Sequence, residues 1–266
     1  MSRPRVVLLW FLAILVTVGT AAWQRQSGPT YPVRGVATLG GEEIRYRLLR
    51  TQTTGEALPI RIRAAADVTG EVVWRRYPSA LPWQTLPLAR AGEELTAALP
   101  SLPPAGKLEY RLRLSRGGST VELPAAPAAA AVARFKGAVP TGVLAPHIFA
   151  MFFGMLFSNA AALSALARRE QARRQAWVAT LLLIVGGLML GPAVQKYAFD
   201  AWWTGWPFGH DLTDNKTAVA VAAWAFALWR GRGGQSVRGA IVAAALVTLI
   251  VFSIPHSLLG SELAVE

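Results

Sequence analysis

The stretch ARREQARRQ, residues 167–175, separates two long apolar runs. It contains four arginines, whereas the run before it (141–166) and the run after it (177–194) contain no Asp, Glu, Lys or Arg. Runs of this length approach the roughly 20 residues with which an α-helix crosses the hydrocarbon core of a bilayer. Because short arginine-rich loops stay in the cytoplasm, the stretch predicts two membrane helices joined by a cytoplasmic loop.

Three further apolar runs lie outside this pair, at 6–23, 217–229 and 239–254. The chain is 53% hydrophobic and only 16% charged, against roughly 45–50% and about 25% in soluble domains. We therefore predict an integral membrane protein. Residues 1–23 form an N-terminal anchor or a cleaved signal peptide. Residues 139–266 form a four-helix transmembrane bundle, with helices at about 141–166, 176–195, 214–230 and 237–255.

The arginines at the ends of the apolar runs predict the topology. They occur before residue 6, in 167–175 and in 230–238, and these segments are predicted to be cytoplasmic. The segments 24–140 and 196–216 and the C-terminal tail then lie outside. The net charge of +12 is thus explained by topology, and we predict no nucleic-acid partner. The Arg/Ala/Leu-rich composition favours a bacterial inner membrane, with periplasmic outer segments.

Residues 24–138 show the alternation of polar and apolar residues that is typical of strands with one buried face. In KLEYRLRL, residues 107–114, Leu108, Tyr110 and Leu112 alternate with charged residues. Seven or eight short strands in about a hundred residues resemble the antiparallel sandwich of immunoglobulin or fibronectin type III domains. The strands are predicted at 33–39, 43–50, 59–64, 71–77, 94–99, 107–114, 120–123 and 131–135.

Six arginines on the polar faces of these strands are candidates for a surface binding site. They form either an ordinary solvated basic face or a docking surface for anionic lipid headgroups, an acidic partner or an anionic polymer. The six are Arg45, Arg47, Arg61, Arg63, Arg111 and Arg113.

The loop 196–215 combines aromatic and acidic residues at the predicted outer face. It is either an interfacial aromatic segment followed by a helix N-cap in TDNK, or a lid over a pocket between helices. The candidate pocket and lid residues are Tyr197, Asp200, Trp203, Trp206, Phe208, Asn215, Lys216 and Glu262.

All three histidines of the chain fall at the predicted outer face. With nearby carboxylates they could bind zinc or copper, and two of them could ligate haem b. No HxxxH or HxH spacing supports a metal, and structural histidines are the other interpretation. The candidate ligands are His147, His210, His256, Asp211 and Asp214.

The chain contains no cysteine, GxSxG elbow, phosphate-binding loop or dinucleotide-binding glycine pattern, so we nominate no catalytic residue. We predict a non-catalytic binding or scaffold protein, such as an accessory subunit of a membrane complex. Its predicted partners are membrane lipids and other membrane-protein subunits. The alternatives are a metal or haem protein at the periplasmic face, and an enzyme or sensor for a lipid or quinone beneath the lid.

Overall fold

The protein is described here from a computed structural model that covers residues 3–127, 130–209, 211–233 and 236–255. It divides into two compact units. A helical unit is formed within Met1–Pro29 and Val139–Ser261, and a β unit within Thr30–Ala138. The protein thus combines β-sheets with helices, as the two hydrophobic periods of the sequence predict.

Within residues 30–127 and 130–138, the β unit shows eleven strands where the sequence predicts seven or eight. The sequence does not predict the three short strands β3 (Thr51–Thr53), β6 (Gln84–Pro87) and β7 (Ala89–Ala91). Three or four residues are too few to show an alternating pattern. The strands are β1 (Val33–Leu39), β2 (Glu42–Leu48), β3 (Thr51–Thr53), β4 (Leu58–Arg63), β5 (Thr69–Arg76), β6 (Gln84–Pro87), β7 (Ala89–Ala91), β8 (Glu94–Leu99), β9 (Lys107–Arg116), β10 (Ser119–Leu123) and β11 (Ala131–Lys136).

These strands form three sheets. One sheet pairs β1 with β2, a second has the order β4-β8-β7, and the largest has the order β3-β11-β9-β5-β6, with β10 also pairing with β9. All pairs are antiparallel except β3 with β11, which is parallel. The expectation of purely antiparallel pairing is therefore wrong at this edge. No hairpin restricts these two strands to opposite directions, because they lie far apart in the sequence.

The long strand β9 is the centre of the largest sheet and of the β-unit core. Its apolar residues Leu108, Tyr110, Leu112 and Leu114 are all fully buried, and they belong to one cluster with apolar residues of β2, β4, β8 and β11. The alternation in KLEYRLRL therefore gives the buried face of this strand correctly.

Two glycine pairs close hairpins next to this core. Gly40 and Gly41 join β1 to β2, and Gly117 and Gly118 join β9 to β10; all four have positive φ angles. Leu39 pairs with Glu42, and Arg116 pairs with Ser119, so each loop has two residues. Such loops need positive φ at both positions, which glycine adopts without strain.

We expect Tyr110 to ionise at a higher pH than an ordinary tyrosine side chain. Its hydroxyl donates to the carbonyl of Leu49 at 2.8 Å, and burial raises its pKa above the ordinary value of 10. Since the folded pKa is raised, the stabilisation is complete below about pH 10 and is lost as the pH rises towards the folded pKa. Absorbance at 295 nm during an alkaline titration follows the ionisation of the tyrosine side chains.

Tyr110→Phe is the control for the titration. It should remove the late step and lower stability at neutral pH by about 0.5–2 kcal/mol, because one buried hydrogen bond is lost. A wild-type titration with all five tyrosines ionising together near pH 10 contradicts the assignment.

The helical unit contains one helix before the β unit and the remaining helices after it. The helix α3 (Gln171–Leu183) continues through a π-helical segment (Ile184–Leu190) into α4 (Gly191–Phe199). A 3₁₀ turn (Gly231–Gly233) follows α5 (Leu212–Arg230). The helices are α1 (Arg3–Ser27), α2 (Thr141–Leu166), α3 (Gln171–Leu183), α4 (Gly191–Phe199), α5 (Leu212–Arg230) and α6 (Arg238–Ser253).

The helix continues through Gly191 and Pro192, and the π segment gives a physical reason for this. A proline within an α-helix lacks an amide hydrogen and its ring crowds the carbonyl four residues earlier. The wider π turn immediately before Gly191 relieves that crowding. The helix therefore continues to Phe199.

Small residues bring the helices of this unit close together. A side chain at Gly186 would come within 2.8 Å of Ala150 on α2, and one at Gly187 would collide with Thr217 on α5. This glycine pair therefore permits close helix contact. Trp224 on α5 is fully buried and donates to Thr248 of α6 at 2.9 Å.

The first helix is joined to this unit by polar contacts as well as by packing. Asn159 of α2 donates to Thr17 of α1 at 2.9 Å, and both side chains are buried. Near the other end of α1, Gln24 donates to the carbonyl of Phe252 in α6 at 2.6 Å. The helix α1 thus contacts both α2 and α6.

Within the described ranges, three helices are long and apolar enough to cross a membrane: Arg3–Ser27, Thr141–Leu166 and Gln171–Phe199. The helix α6 is apolar but shorter. The structure is therefore compatible with a membrane-associated protein.

Candidate functional site

The first candidate site is the aromatic loop, residues 200–209 and 211, which connects α4 to α5. The loop begins at Asp200, whose φ of 61° places it in the left-handed region and ends α4. Its carboxylate accepts from Lys196 at 2.6 Å, and this contact lowers the pKa of Asp200 below its ordinary value. Asp200 is therefore a charged residue that terminates a helix.

Asp214 organises the centre of this loop. Its Oδ2 accepts from the backbone amides of Thr204 at 2.7 Å and Gly205 at 3.1 Å, and its side chain is buried. With its amide nitrogen turned towards this carboxylate, Gln195 donates to Oδ1 at 2.8 Å and accepts from the Thr204 hydroxyl at 2.6 Å. Both oxygens of Asp214 are thus used within the fold.

Two further side chains at the start of α5 also bind the loop backbone. Asn215 accepts from the amide of Trp206 at 2.7 Å, and Asp211 is the N-cap of α5, where it accepts from Thr213 at 2.6 Å. The prediction that Thr213, Asp214 or Asn215 caps this helix is wrong. The helix begins at Leu212, so the cap falls on Asp211, and the later polar residues turn towards the loop.

The close approach at Gly205 depends on the absence of a side chain. A Cβ there would lie 2.7 Å from Asp214 and 2.8 Å from Asn215. Gly205 therefore lets two polar side chains of α5 reach the loop backbone.

The large aromatic side chains of the loop lie outside this polar network. Trp206 is 75% exposed and Phe208 is 83% exposed. Trp202 is also exposed, as is Tyr197 near the end of α4. Trp203, in contrast, is partly buried, and its indole nitrogen donates to the carbonyl of Trp206 at 3.1 Å. The polar groups of the loop thus hold its backbone, and its aromatic groups form a surface.

Lys216 connects α5 to the end of α6. Its side chain is buried, and its Nζ donates to the carbonyl of Ile254 at 2.7 Å. That carbonyl belongs to the residue that caps the C-terminus of α6, where a cation is favourable. Lys216 therefore holds two helices together.

His147 is the one histidine whose contacts the structure describes. It lies in α2, and its Nδ1 forms a hydrogen bond with the carbonyl of Gly186 at 2.8 Å. His210, His256 and Glu262 lie outside the described residues. Among those that are described, no three His, Asp or Glu side chains are placed to hold a metal ion, so the metal site stays a prediction.

The six predicted surface arginines do not form one group. Arg45 and Arg47 lie on β2, Arg61 and Arg63 on β4, and the other two on β9 in a different sheet. Arg111 and Arg113 pair with Glu122, and Arg113 also pairs with Glu71 at 2.9 Å. The structure thus separates the paired arginines of β9 from those of β2 and β4.

Four arginines on the exposed faces of β1, β2 and β4 make up what we call the arginine face: Arg34, Arg45, Arg47 and Arg61. Within the described ranges, none of the four has a carboxylate partner, whereas the neighbouring Arg63 pairs with Glu93. Arg34 lies directly opposite Arg47 in the β1–β2 ladder, and β2 contacts β4. Arg34 and Arg47 are therefore like charges that face each other across the ladder.

Sequence reasoning missed three residues of these sites. Arg34 belongs to a strand that was predicted, but its pairing with Arg47 depends on the register set by Gly40 and Gly41. Gln195 and Thr204 lie on either side of the end of α4, and only the path of the chain brings both to Asp214. Arg34 is the one charged residue of β1, so no charge pattern in that strand singles it out.

Comparison of the chain with protein-family models, curated proteins and solved structures found no match.

Proposed function

We propose that this protein is a non-catalytic binding or scaffold protein of a bacterial inner membrane, an accessory subunit that holds an acidic partner subunit through its arginine face. One observation carries the proposal: Arg45, Arg47 and Arg61 are exposed and lack a carboxylate partner among the described residues, while other arginines of the same unit are paired.

The register of β1 and β2 adds a physical argument. Like charges directly opposite each other in an antiparallel pair are destabilising, and Arg34 lies opposite Arg47. An acidic partner surface relieves this repulsion when it binds, and complementary charge also steers the encounter. The arrangement is thus more favourable in a complex than in the isolated β unit.

The aromatic loop is the proposed second contact of the same complex. Its polar side chains are used to hold its backbone, so Trp206 and Phe208 present apolar surface on a fixed support. Exposed tryptophan and phenylalanine suit a membrane interface or the centre of a protein interface. The polar groups in this loop, in contrast, are already bonded to the protein and are poor candidates for catalysis.

The proposed architecture keeps the immunoglobulin-like or fibronectin type III-like sandwich and the four-helix membrane bundle of α2, α3–α4, α5 and α6. A single apolar core shared by strands of all three sheets supports the sandwich, and the contacts among these helices support the bundle. The arginine count of the connecting segments favours a cytoplasmic N-terminus and a periplasmic β unit.

The double variant Arg45→Gln/Arg47→Gln tests the arginine face. We expect it to reduce the amount of co-purified partner subunit about 5- to 30-fold after gentle detergent extraction, because two charge contacts are lost. The control Arg111→Gln/Arg113→Gln removes the same charge at the same spacing from the paired arginines and should leave co-purification unchanged. Equal losses in both, or a wild-type protein that purifies as a partner-free monomer, contradict the proposal.

The second candidate function is a metal or haem site at the periplasmic face. It is favoured by the contact between the Nδ1 of His147 and the carbonyl of Gly186, since a ligating histidine commonly donates its other nitrogen to such an acceptor. Elemental analysis and a visible spectrum of the purified protein test it. The site requires stoichiometric zinc, copper or haem that His147→Ala reduces, and a metal-free, colourless protein eliminates it.

A further inference from the structure

A cleft lies where α1, α2 and α3 meet, next to the arginine-rich segment between α2 and α3. It has a volume of about 340 Å³. Its walls come from the three helices that are apolar and long enough to cross a membrane. A narrower extension shares four of its lining residues and has a volume of about 10 Å³, which is space for about one water molecule.

The cleft has an apolar wall. Trp10 of α1 and Phe157 of α2 line it and contact each other edge to face, with ring centroids 5.5 Å apart. Val6 of α1 and Val178 of α3 extend the same wall. These side chains are only partly buried, so the wall is open to an apolar ligand.

The polar side of the cleft carries two arginines. Arg174 lines the cleft and Arg169 lines its extension, and neither has an acidic partner within the part of the chain that the structure describes. Glutamine and serine side chains complete this side. Gln175 has a buried Oε1 that accepts no hydrogen bond, and Ser164, only 3% exposed, lines the extension.

We propose that this cleft binds an anionic phospholipid, with the phosphate at Arg169 and Arg174 and an acyl chain along Trp10 and Phe157. Unpaired guanidinium groups are complementary to a phosphodiester and can bind it with two parallel hydrogen bonds. A free anion would use the arginines but not the apolar wall. Basic pockets between membrane helices bind anionic lipid headgroups in this manner. The lipid fills a gap between the first helix and the rest of the helical unit.

The experiment measures retained lipid by native mass spectrometry of the full-length protein in detergent, with phosphatidylglycerol and phosphatidylcholine offered in equal amounts. We expect the wild type to retain phosphatidylglycerol at least about fivefold more than phosphatidylcholine. Arg169→Gln/Arg174→Gln should lose that preference. Arg168→Gln/Arg238→Gln removes the same charge from exposed arginines after the end of α2 and at the start of α6, and this variant should keep the preference.

Three outcomes overturn the proposal: equal retention of the two lipids by the wild type, an unchanged preference in Arg169→Gln/Arg174→Gln, or an equal loss in both double variants. If Arg169→Gln/Arg174→Gln does not fold, Val178→Trp takes its place, because its larger side chain fills the cleft from the apolar wall. Val178→Trp should reduce phosphatidylglycerol retention to the level of phosphatidylcholine. Unchanged retention of phosphatidylglycerol by Val178→Trp also overturns the proposal. These measurements do not involve the arginine face, so their result is independent of the proposed partner complex.

Discussion

Asp214→Ala is expected to lower the free energy of unfolding of the helical unit by about 2–5 kcal/mol. Asp214 is 6% exposed, and its Oδ2 accepts from the amides of Thr204 and Gly205. Removing the carboxylate leaves these donors without their acceptor, and each unsatisfied buried group costs about 1–3 kcal/mol. Unfolding in detergent by titration with sodium dodecyl sulfate measures the loss.

Asp214→Asn separates the loss of hydrogen bonds from the loss of charge. It keeps one carbonyl oxygen as an acceptor, so we expect a smaller loss than with alanine. Asp200→Asn is the matched control, since that carboxylate is exposed and pairs with the exposed Lys196 in α4; no measurable change is expected. If Asp214→Ala and Asp200→Asn have the same free energy of unfolding, Asp214 does not organise the aromatic loop.

Leu112→Ala is expected to destabilise the β unit by about 2–5 kcal/mol. Leu112 is fully buried on β9, and its partners Val72 and Leu123 on β5 and β10 are buried as well. Truncation loses the transfer free energy of the side chain and leaves a cavity in a core that three sheets share. A urea titration followed through amide hydrogen exchange of the β9 peptides measures the effect on the full-length protein.

Leu81→Ala is the control for this experiment. Leu81 is 54% exposed, so the same chemical change should alter stability by less than about 0.5 kcal/mol. If Leu112→Ala lowers the stability of the β unit no more than Leu81→Ala does, β9 is not at the centre of the core.

The sequence predicts elements well where a local pattern repeats. The strand β9 has four buried residues at every second position, and α2 is a long apolar run, so each is visible without its partners. The short strands β3 and β7 are not, because a three-residue strand is defined by its neighbours' hydrogen bonds. The π segment is also invisible, since it depends on how the backbone accommodates Pro192 within a run that is apolar throughout.

The candidate sites are less predictable than the fold. The aromatic loop stands out by composition, and its aromatic residues are exposed at a boundary between elements, which fits the interfacial interpretation. The roles of Asp214, Asn215 and Lys216 are not visible in the sequence, because they depend on distant partners such as Gln195 and Ile254. The predicted set of six surface arginines was too large for the same reason, because the carboxylates that pair with Arg113 lie on other strands.

The contact between Gln24 and Phe252 has a consequence for biosynthesis. The ribosome makes Gln24 of α1 228 residues before it makes Phe252, whose carbonyl accepts from it. While the β unit and the other helices are made, α1 therefore lacks this partner. The contact can form only after α6 has been made, so a nascent chain that stops before α6 leaves Gln24 without it.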